Sequence, residues 1–353
     1  MNISRIKRVR KLMRECELEQ LIITQPQAIY YLTGQWVSPM DRLDALVVTQ
    51  YDVRVICYNL AVIDAPDCKT IVYDDMSRAL PSLKEVMLNV PTGIEGDMSA
   101  RFCIPLMEDM RDIRFASSNC VDVARMVKDE DEIERLKYAS ALTDDVFRES
   151  FACVEVGMTE RDLAKVFCER FEAHGAGVFP GVPMAAFGPG TADPHASTGD
   201  RRLKPGDAIM VDTGMRINGY YSDTTRTAFF GEVSDEQRRV YDIVLRANEA
   251  AIAAVRPGAL LNDIDSAARE VISRAGYGQY FTHKTSHGVG IDFHEMPSVR
   301  ADQQIVLEPG MAFSIEPGIY LPGKFGVRIE DLAIVDAQGV NIVTHCDKTL
   351  IVI

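Results

Sequence analysis

The sequence has no uninterrupted apolar run near the ~18 residues that a membrane-spanning helix needs, which argues against a membrane protein. Its basic start, MNISRIKRVRKLMREC, has no apolar core and no small-residue cleavage site, so it does not read as a secretory signal. No two cysteines form a CxxC pair. The eight, at 16, 57, 68, 103, 120, 153, 168 and 346, are scattered and read as reduced thiols of a cytoplasmic protein. Positive charge is outweighed: 38 Lys+Arg against 52 Asp+Glu leave a net charge of -14. Such a chain is repelled by phosphate backbones and anionic bilayers, so neither nucleic acid nor a membrane is expected as a partner. Histidine is rare, six in all, and Trp36 is the only tryptophan.

What is present is ordinary soluble composition, 47% hydrophobic and 25% charged. A length of 353 residues suggests two domains. The first part alternates patterns: a helix over 1–17, short strands at 21–24 and 70–73, and a helix over 76–87. A hairpin is expected from 45–49 and 53–58, with further strand segments near 93–96 and 114–116. This reads as a small α/β domain. The stretch 125–137, RMVKDEDEIERLK, is then dense in both signs, with Asp129 or Asp131 as a helix cap, and the domain boundary is placed near 126. Helices are expected at 129–153, 159–174, 234–255 and 261–275. Thr159-Glu160 puts an acid in a first turn without the full S/T-x-x-E box. The two helix pairs hint at internal pseudo-symmetry, though no repeat is readable.

Acids inside apolar strands are the informative anomaly. Asp212 follows Ala208-Ile209-Met210-Val211, and a buried carboxylate needs a partner or a metal. Asp223 follows in YYSDTTRT, and between them lies Asn218-Gly219, a strong hairpin signal. A two-residue turn there makes cross-strand partners sum to 437, so Asp223 faces Gly214 and Asp212 lies two residues along on the same face. Gly214 is expected to leave open space between them. The alternative is two surface aspartates near a turn. Glu316 in AFSIEPGIY and Glu330 in FGVRIEDLAIV repeat the arrangement around Gly323, which places them opposite each other on one face. His287 in SHGVG, His294 in HEMP and His195 in GTADPHAST stand in loop settings rich in Gly and Pro; His174 and His345 read as structural or surface residues.

Together these segments resemble the pita-bread-fold metallopeptidases of the prolidase and Xaa-Pro aminopeptidase branch. The resemblance rests on Pro194-His195, VDTGMRINGYYSDTTRT (211–227), SHGVGIDFHEMP (286–297), EPGMAFSIEPGIY (308–320) and GVRIEDLAIV (326–335), with QLIITQPQAIYYLTGQW (20–36) in the first domain. It implies an α+β protein: a creatinase-like N-terminal α/β domain over 1–126 and a C-terminal pita-bread catalytic fold (creatinase/aminopeptidase-like) over 127–353. It also implies two divalent metal ions on Asp212, Asp223, His287, Glu316 and Glu330, with Asp223 and Glu330 bridging. Four carboxylates and one imidazole suit Mn²⁺ first, with Co²⁺, Fe²⁺ or Zn²⁺ as alternatives. A hydroxide bridging ions about 3.5–4 Å apart would attack the scissile carbonyl.

In the same analogy Glu316 shuttles the proton, His294 stabilises the oxyanion, and His195 contacts substrate. Arg300 is the candidate clamp for a dipeptide's C-terminal carboxylate, and Arg328 would share a face with Glu330. Thr213 and Thr225 are candidate supporting donors, and Tyr220 and Tyr221 either line the pocket or pack in the core. The expected activity is hydrolysis of the Xaa-Pro bond of dipeptides, in a homodimer. Xaa-Pro aminopeptidase action on longer peptides, or hydrolysis of a small non-peptide amide or amidine, are the alternatives. One departure is Ser286, where the family usually has glycine before the metal-binding histidine.

Overall fold

Asn2 starts the first helix, α1 (Ile3–Glu15), by accepting the Arg5 amide on its side chain. Ile6, Val9 and Met13 form the buried stripe of that helix, while Ile3 stays exposed. The computed structural model describes residues 1–38, 40–176 and 181–353. The chain divides into two units, Met1–Arg125 and Met126–Ile353.

In the first unit α1 is followed by β1 (Gln20–Ile23), α2 (Pro26–Thr33), β2 (Ala45–Thr49) and β3 (Val53–Tyr58). Then come β4 (Lys69–Tyr73), α3 (Ala79–Val86), β5 (Thr92–Glu95), α4 (Ala100–Asp109), β6 (Phe115–Ser118) and α5 (Cys120–Met126). The strands form one mixed sheet in the order β4-β3-β2-β1-β5-β6. The hairpin expected around 50–52 forms, with Val48 opposite Val53. Ile22, Val47 and Ile56 from the sheet pack with Leu83 and Val86 of α3 and Leu106 of α4. The sequence reading missed α2, α4 and α5. Aromatic Tyr30 and Tyr31 blur the helical pattern of α2, and Pro105 inside α4 reads as a breaker.

The second unit opens on α6 (Glu130–Phe151), capped by Asp129 in a reciprocal box with Glu132. Next is α7 (Glu160–Ala173), where Asp162 does the work expected of a glutamate: it accepts from the Thr159 amide while Thr159 accepts from its own. The strands β7 (Met184–Phe187), β8 (Ala208–Thr213), β9 (Arg216–Ile217), β10 (Tyr220–Tyr221) and β11 (Thr224–Phe229) precede a second helix pair. That pair is α8 (Asp235–Ala254) and α9 (Leu261–Arg274). After it come β12 (Ser286–Gly288), β13 (Glu295–Val299), β14 (Ala312–Ile315), β15 (Gly318–Leu321), β16 (Phe325–Arg328), β17 (Asp331–Val335), β18 (Val340–Ile342) and β19 (Ile351–Val352).

One sheet runs β19-β11-β8-β7 and another β13-β12-β14-β17-β18. Each is covered by a helix pair. Phe147 of α6 and Phe167 of α7 pack on Ile209 and Val211 of β8, and Val244 of α8 and Ile264 of α9 pack with Phe313 and Ile315 of β14. Phe167 is fully buried, so its truncation to alanine costs about 3–5 kcal/mol.

Candidate metal centre

Two hairpins place the acids, and each keeps the register that its turn dictates. Asn218 (φ 51°) and Gly219 (φ 85°) are both left-handed, the geometry of a type I′ turn. Ile217 faces Tyr220, Thr213 faces Thr224, and Asp212 faces Thr225, all on the one predicted register. Gly214 does not leave open space, however. A Cβ there would run into the carbonyl of Ser222, whose amide donates to Met215 O at 2.9 Å. The glycine lets the strands cross closely beside Asp212 and Asp223.

The second hairpin holds its register on both sides of the glutamates: Gly318 faces Arg328, and Ile315 faces Asp331. At the glutamates the ladder opens. The Glu316 amide donates to Thr285 O at 3.0 Å and the Glu330 amide to Thr225 O at 3.1 Å. The backbone of Glu316 is therefore pinned to the residue before β12 and that of Glu330 to β11, rather than to each other. On β12, a register shift between His287 and Gly288 re-aims the histidine.

These elements bring Asp212, Asp223, His287, Glu316 and Glu330 onto the wall of one cavity of about 440 Å³. His195 and His294 line it too, both exposed. Asp223, His287 and Glu330 are buried, and a ligand atom from each lies within 4.8 Å of the other two. His287 Nε2 stands 3.5 Å from Asp223 Oδ2 and 3.4 Å from Glu316 Oε1. Its Nδ1 is 3.1 Å from the Gly288 carbonyl, which makes Nδ1 the protonated nitrogen and leaves the Nε2 lone pair facing the acids.

The electrostatics call for a cation. Burial, reinforced by His294, drops the His287 pKa to about 3, so the ring is neutral and offers the acids no charge. Burial and then Glu330 push the Asp223 carboxyl well above the usual carboxylate range. Burial and Glu330 do the same to Glu316. Burial and Asp212 raise Glu330 to about 7. Asp223 Oδ2 and Glu330 Oε1 are buried and accept from no donor among the described residues. Orphaned acceptors crowded around an imidazole lone pair are what a divalent cation satisfies, so the donor set fits a metal.

Supporting residues are partly those expected. Thr225 Oγ1 donates to Glu330 Oε2 at 2.8 Å, whereas Thr213 Oγ1 has no hydrogen-bond partner among the described residues. Arg328 Nη2 reaches Asp212 Oδ2 at 2.5 Å, and its other nitrogens donate to Thr225, Tyr320 and the Pro194 carbonyl. Tyr220 donates to Glu132 Oε1 and Tyr221 packs edge-on against Phe293, so neither lines the cavity. Arg300 is exposed, pairs with Asp302 at 2.8 Å, and does not line the cavity either. Trp36, in the first unit, stacks on Tyr30.

The sequence reading missed His283, Lys284 and Tyr320. Tyr320 OH accepts from Arg328 and donates to His283 Nε2 at 2.7 Å; His283 Nδ1 donates to Lys284 O. Burial, helped by Arg328, lowers His283 to about 4. Lys284 also lines the cavity, and burial lowers its pKa against the pull of Glu316. The only signal was position, four and three residues before His287. A larger depression of about 730 Å³ lies elsewhere, with Arg226 and Asp331 on its wall. That pair is buried and joined at 2.7 Å, on the strand face opposite Glu330.

Residues 134–337 match the model of metallopeptidase family M24. The chain belongs to that family. Residues 5–127 match the creatinase/prolidase N-terminal domain. The probable dipeptidase PepE of Mycobacterium tuberculosis is 36% identical over 347 residues, covering 95% of this chain and 92% of that protein. Among solved structures, a dipeptidase of Pyrococcus horikoshii superposes with a TM-score of 0.92 at 34% identity, covering 99% of this chain and 100% of that one. The Xaa-Pro dipeptidase of Bacillus anthracis gives 0.91 at 28%, covering 99% of each. This M24 protein thus has the pita-bread fold of the prolidase branch, with a creatinase-like N-terminal domain. Among its described residues no helix is long and apolar enough to cross a membrane.

Proposed function

We propose that this M24 protein hydrolyses the Xaa-Pro bond of dipeptides, using two divalent metal ions held by Asp212, Asp223, His287, Glu316 and Glu330. The observation that carries the reading is the pair of buried carboxylate oxygens, Asp223 Oδ2 and Glu330 Oε1, that accept from no described donor beside a neutral imidazole on the wall of one cavity. The names of the dipeptidase relatives support the substrate class. A cavity of about 440 Å³ lies within the range of roughly 300–1,000 Å³ usual for small ligands. Hard oxygen donors with one imidazole favour Mn²⁺.

When bound, the ions supply an activated water and positive charge beside the developing oxyanion. The protein's own groups do the rest. Asp223 and Glu330, the most deeply buried acids of the set, would hold the ions together with Asp212, His287 and Glu316. His287 is held in one tautomer by the Gly288 carbonyl. Glu316 takes a proton from the attacking water and delivers it to the departing nitrogen. His294 and His195, at the exposed side of the cavity, donate to the substrate carbonyl and backbone.

The test is hydrolysis of Ala-Pro, Met-Pro and Ala-Pro-Ala by metal-stripped protein, with and without Mn²⁺, Co²⁺ or Zn²⁺. Metal-restored cleavage of the dipeptides alone supports the reading. Cleavage of the tripeptide as well moves the activity to an aminopeptidase, and no cleavage of any overturns it.

A further inference from the structure

Two cations line the cavity among the described residues, Arg328 and Lys284. Arg328 is committed: its guanidinium serves Asp212, Thr225, Tyr320 and the Pro194 carbonyl. The Lys284 ammonium has neither a hydrogen bond nor an ion pair with any described residue, although the side chain is half-buried. Its backbone is fixed, because the Lys284 carbonyl accepts from His283, which is itself held by Tyr320. The stem therefore projects from an anchored point.

The acids of the site do not occupy this ammonium once the site is loaded. Two divalent ions cancel the four carboxylates, so Arg328 and Lys284 leave the loaded cavity with surplus positive charge. Glu316, the acid whose charge Lys284 feels, belongs to the metal set, no described acid forms an ion pair with the ammonium, and Arg300, the cation the sequence suggested, is tied to Asp302 and does not line the cavity.

We propose that Lys284 is the specificity-determining residue of the reaction proposed above, on which this inference rests: its ammonium binds a carboxylate carried by the substrate. The carboxylate comes from one of two sources, the free C-terminus of a dipeptide or an acidic side chain on the residue before proline. Both place the same group against the same ammonium.

The experiment compares wild type, Lys284→Met and Lys284→Arg, all loaded with Mn²⁺, on two matched pairs: Met-Pro against Met-Pro amide, and Asp-Pro against Asn-Pro. An ion pair of this kind is worth about 10–100-fold. The carboxylate-to-amide ratio of kcat/KM therefore falls by about that factor in Lys284→Met, mainly through KM, and Lys284→Arg restores most of it. A fall confined to the Met-Pro pair assigns the C-terminal carboxylate; a fall confined to the Asp-Pro pair assigns the side chain. An unchanged ratio in both pairs overturns the proposal. If wild type cleaves none of the four, the peptidase reading fails instead. Calorimetric binding of the same pairs to wild type and Lys284→Met then decides the inference by the same ratio.

Discussion

Arg328 Nη2 lies 2.5 Å from Asp212 Oδ2, and the pair ends a hydrogen-bonded chain that runs from Asp212 through Arg328 and Tyr320 to His283. Arg328 is buried and Asp212 faces the cavity, so a cavity acid is oriented from behind by a fixed planar fork. A lysine keeps the charge but serves fewer acceptors. Arg328→Lys lowers kcat/KM by about 10–100-fold, in line with the loss of one or two charge-assisted hydrogen bonds. Steady-state kinetics at saturating Mn²⁺ checks this, and wild-type kinetics in the variant would refute the orienting role.

Crowded acids destabilise the metal-free protein. Asp223→Asn removes one buried charge and gives its neighbours an amide donor. The chelated variant therefore melts above chelated wild type, at roughly 2–4 °C per kcal/mol relieved. Adding Mn²⁺ raises the melting temperature of wild type and barely moves the variant. Calorimetry with and without chelator measures both; a variant that melts lower when chelated contradicts the repulsion argument.

Gly214 is a steric requirement of the first hairpin. In Gly214→Ala the new methyl meets the Ser222 carbonyl, which is backbone and cannot rotate away. Forcing the strands apart costs about 1–3 kcal/mol and displaces both Asp212 and Asp223. Activity falls by more than about 100-fold, because a misplacement near 1 Å at a reacting centre costs that much. Gly96→Ala, where the methyl meets nothing, is the control and leaves both properties near wild type. Comparable losses in the two variants would refute a steric cause.

Glu95 gives the first unit a pH dependence. Burial raises its pKa from 4.5 to about 7, even though its carboxylate accepts the Thr24 and Gln25 amides. The folded state holds this proton more tightly than the unfolded chain does. The resulting stabilisation is complete below pH 4.5 and is lost as the pH rises through 7. The shift corresponds to a loss on the order of 3 kcal/mol. Glu95→Gln removes this component, so the variant gains on wild type between pH 5 and 8. Trp36 fluorescence during urea unfolding follows this unit, since the only tryptophan lies in it. A difference between the two proteins that is flat with pH would refute the assignment.

The legibility of the sequence varied with the range of the signal. Both acid hairpins were readable because a turn is local and its centre fixes every partner beyond it. Asp129 and the long helices were readable for the same reason, through caps and period. Short α2 and α4 were not, because eight to ten residues carry too few periods to outweigh Tyr30, Tyr31 or Pro105. The hairpin pattern marks Gly214 but not the closeness of the Ser222 backbone to it, because a local pattern gives pairing and not the distance between the paired backbones. His283, Lys284 and Tyr320 went unnoticed because their partnership spans the 37 positions between 283 and 320. Arg300 drew attention by being near the histidines in sequence, while its side chain is exposed and paired with Asp302.

The two turn-centred registers impose a parity rule on insertions and deletions. Lengthening the Pro322–Lys324 loop leaves every pair beyond it untouched, so that tip tolerates changes in length. One extra residue between Glu316 and Leu321, or between Phe325 and Glu330, puts a glutamate out of phase with the pairs of its hairpin. The same holds on either arm around Asn218-Gly219 for Asp212 and Asp223. Whether a homologous segment can host the site is therefore a question of odd or even spacing before it is a question of residue identity.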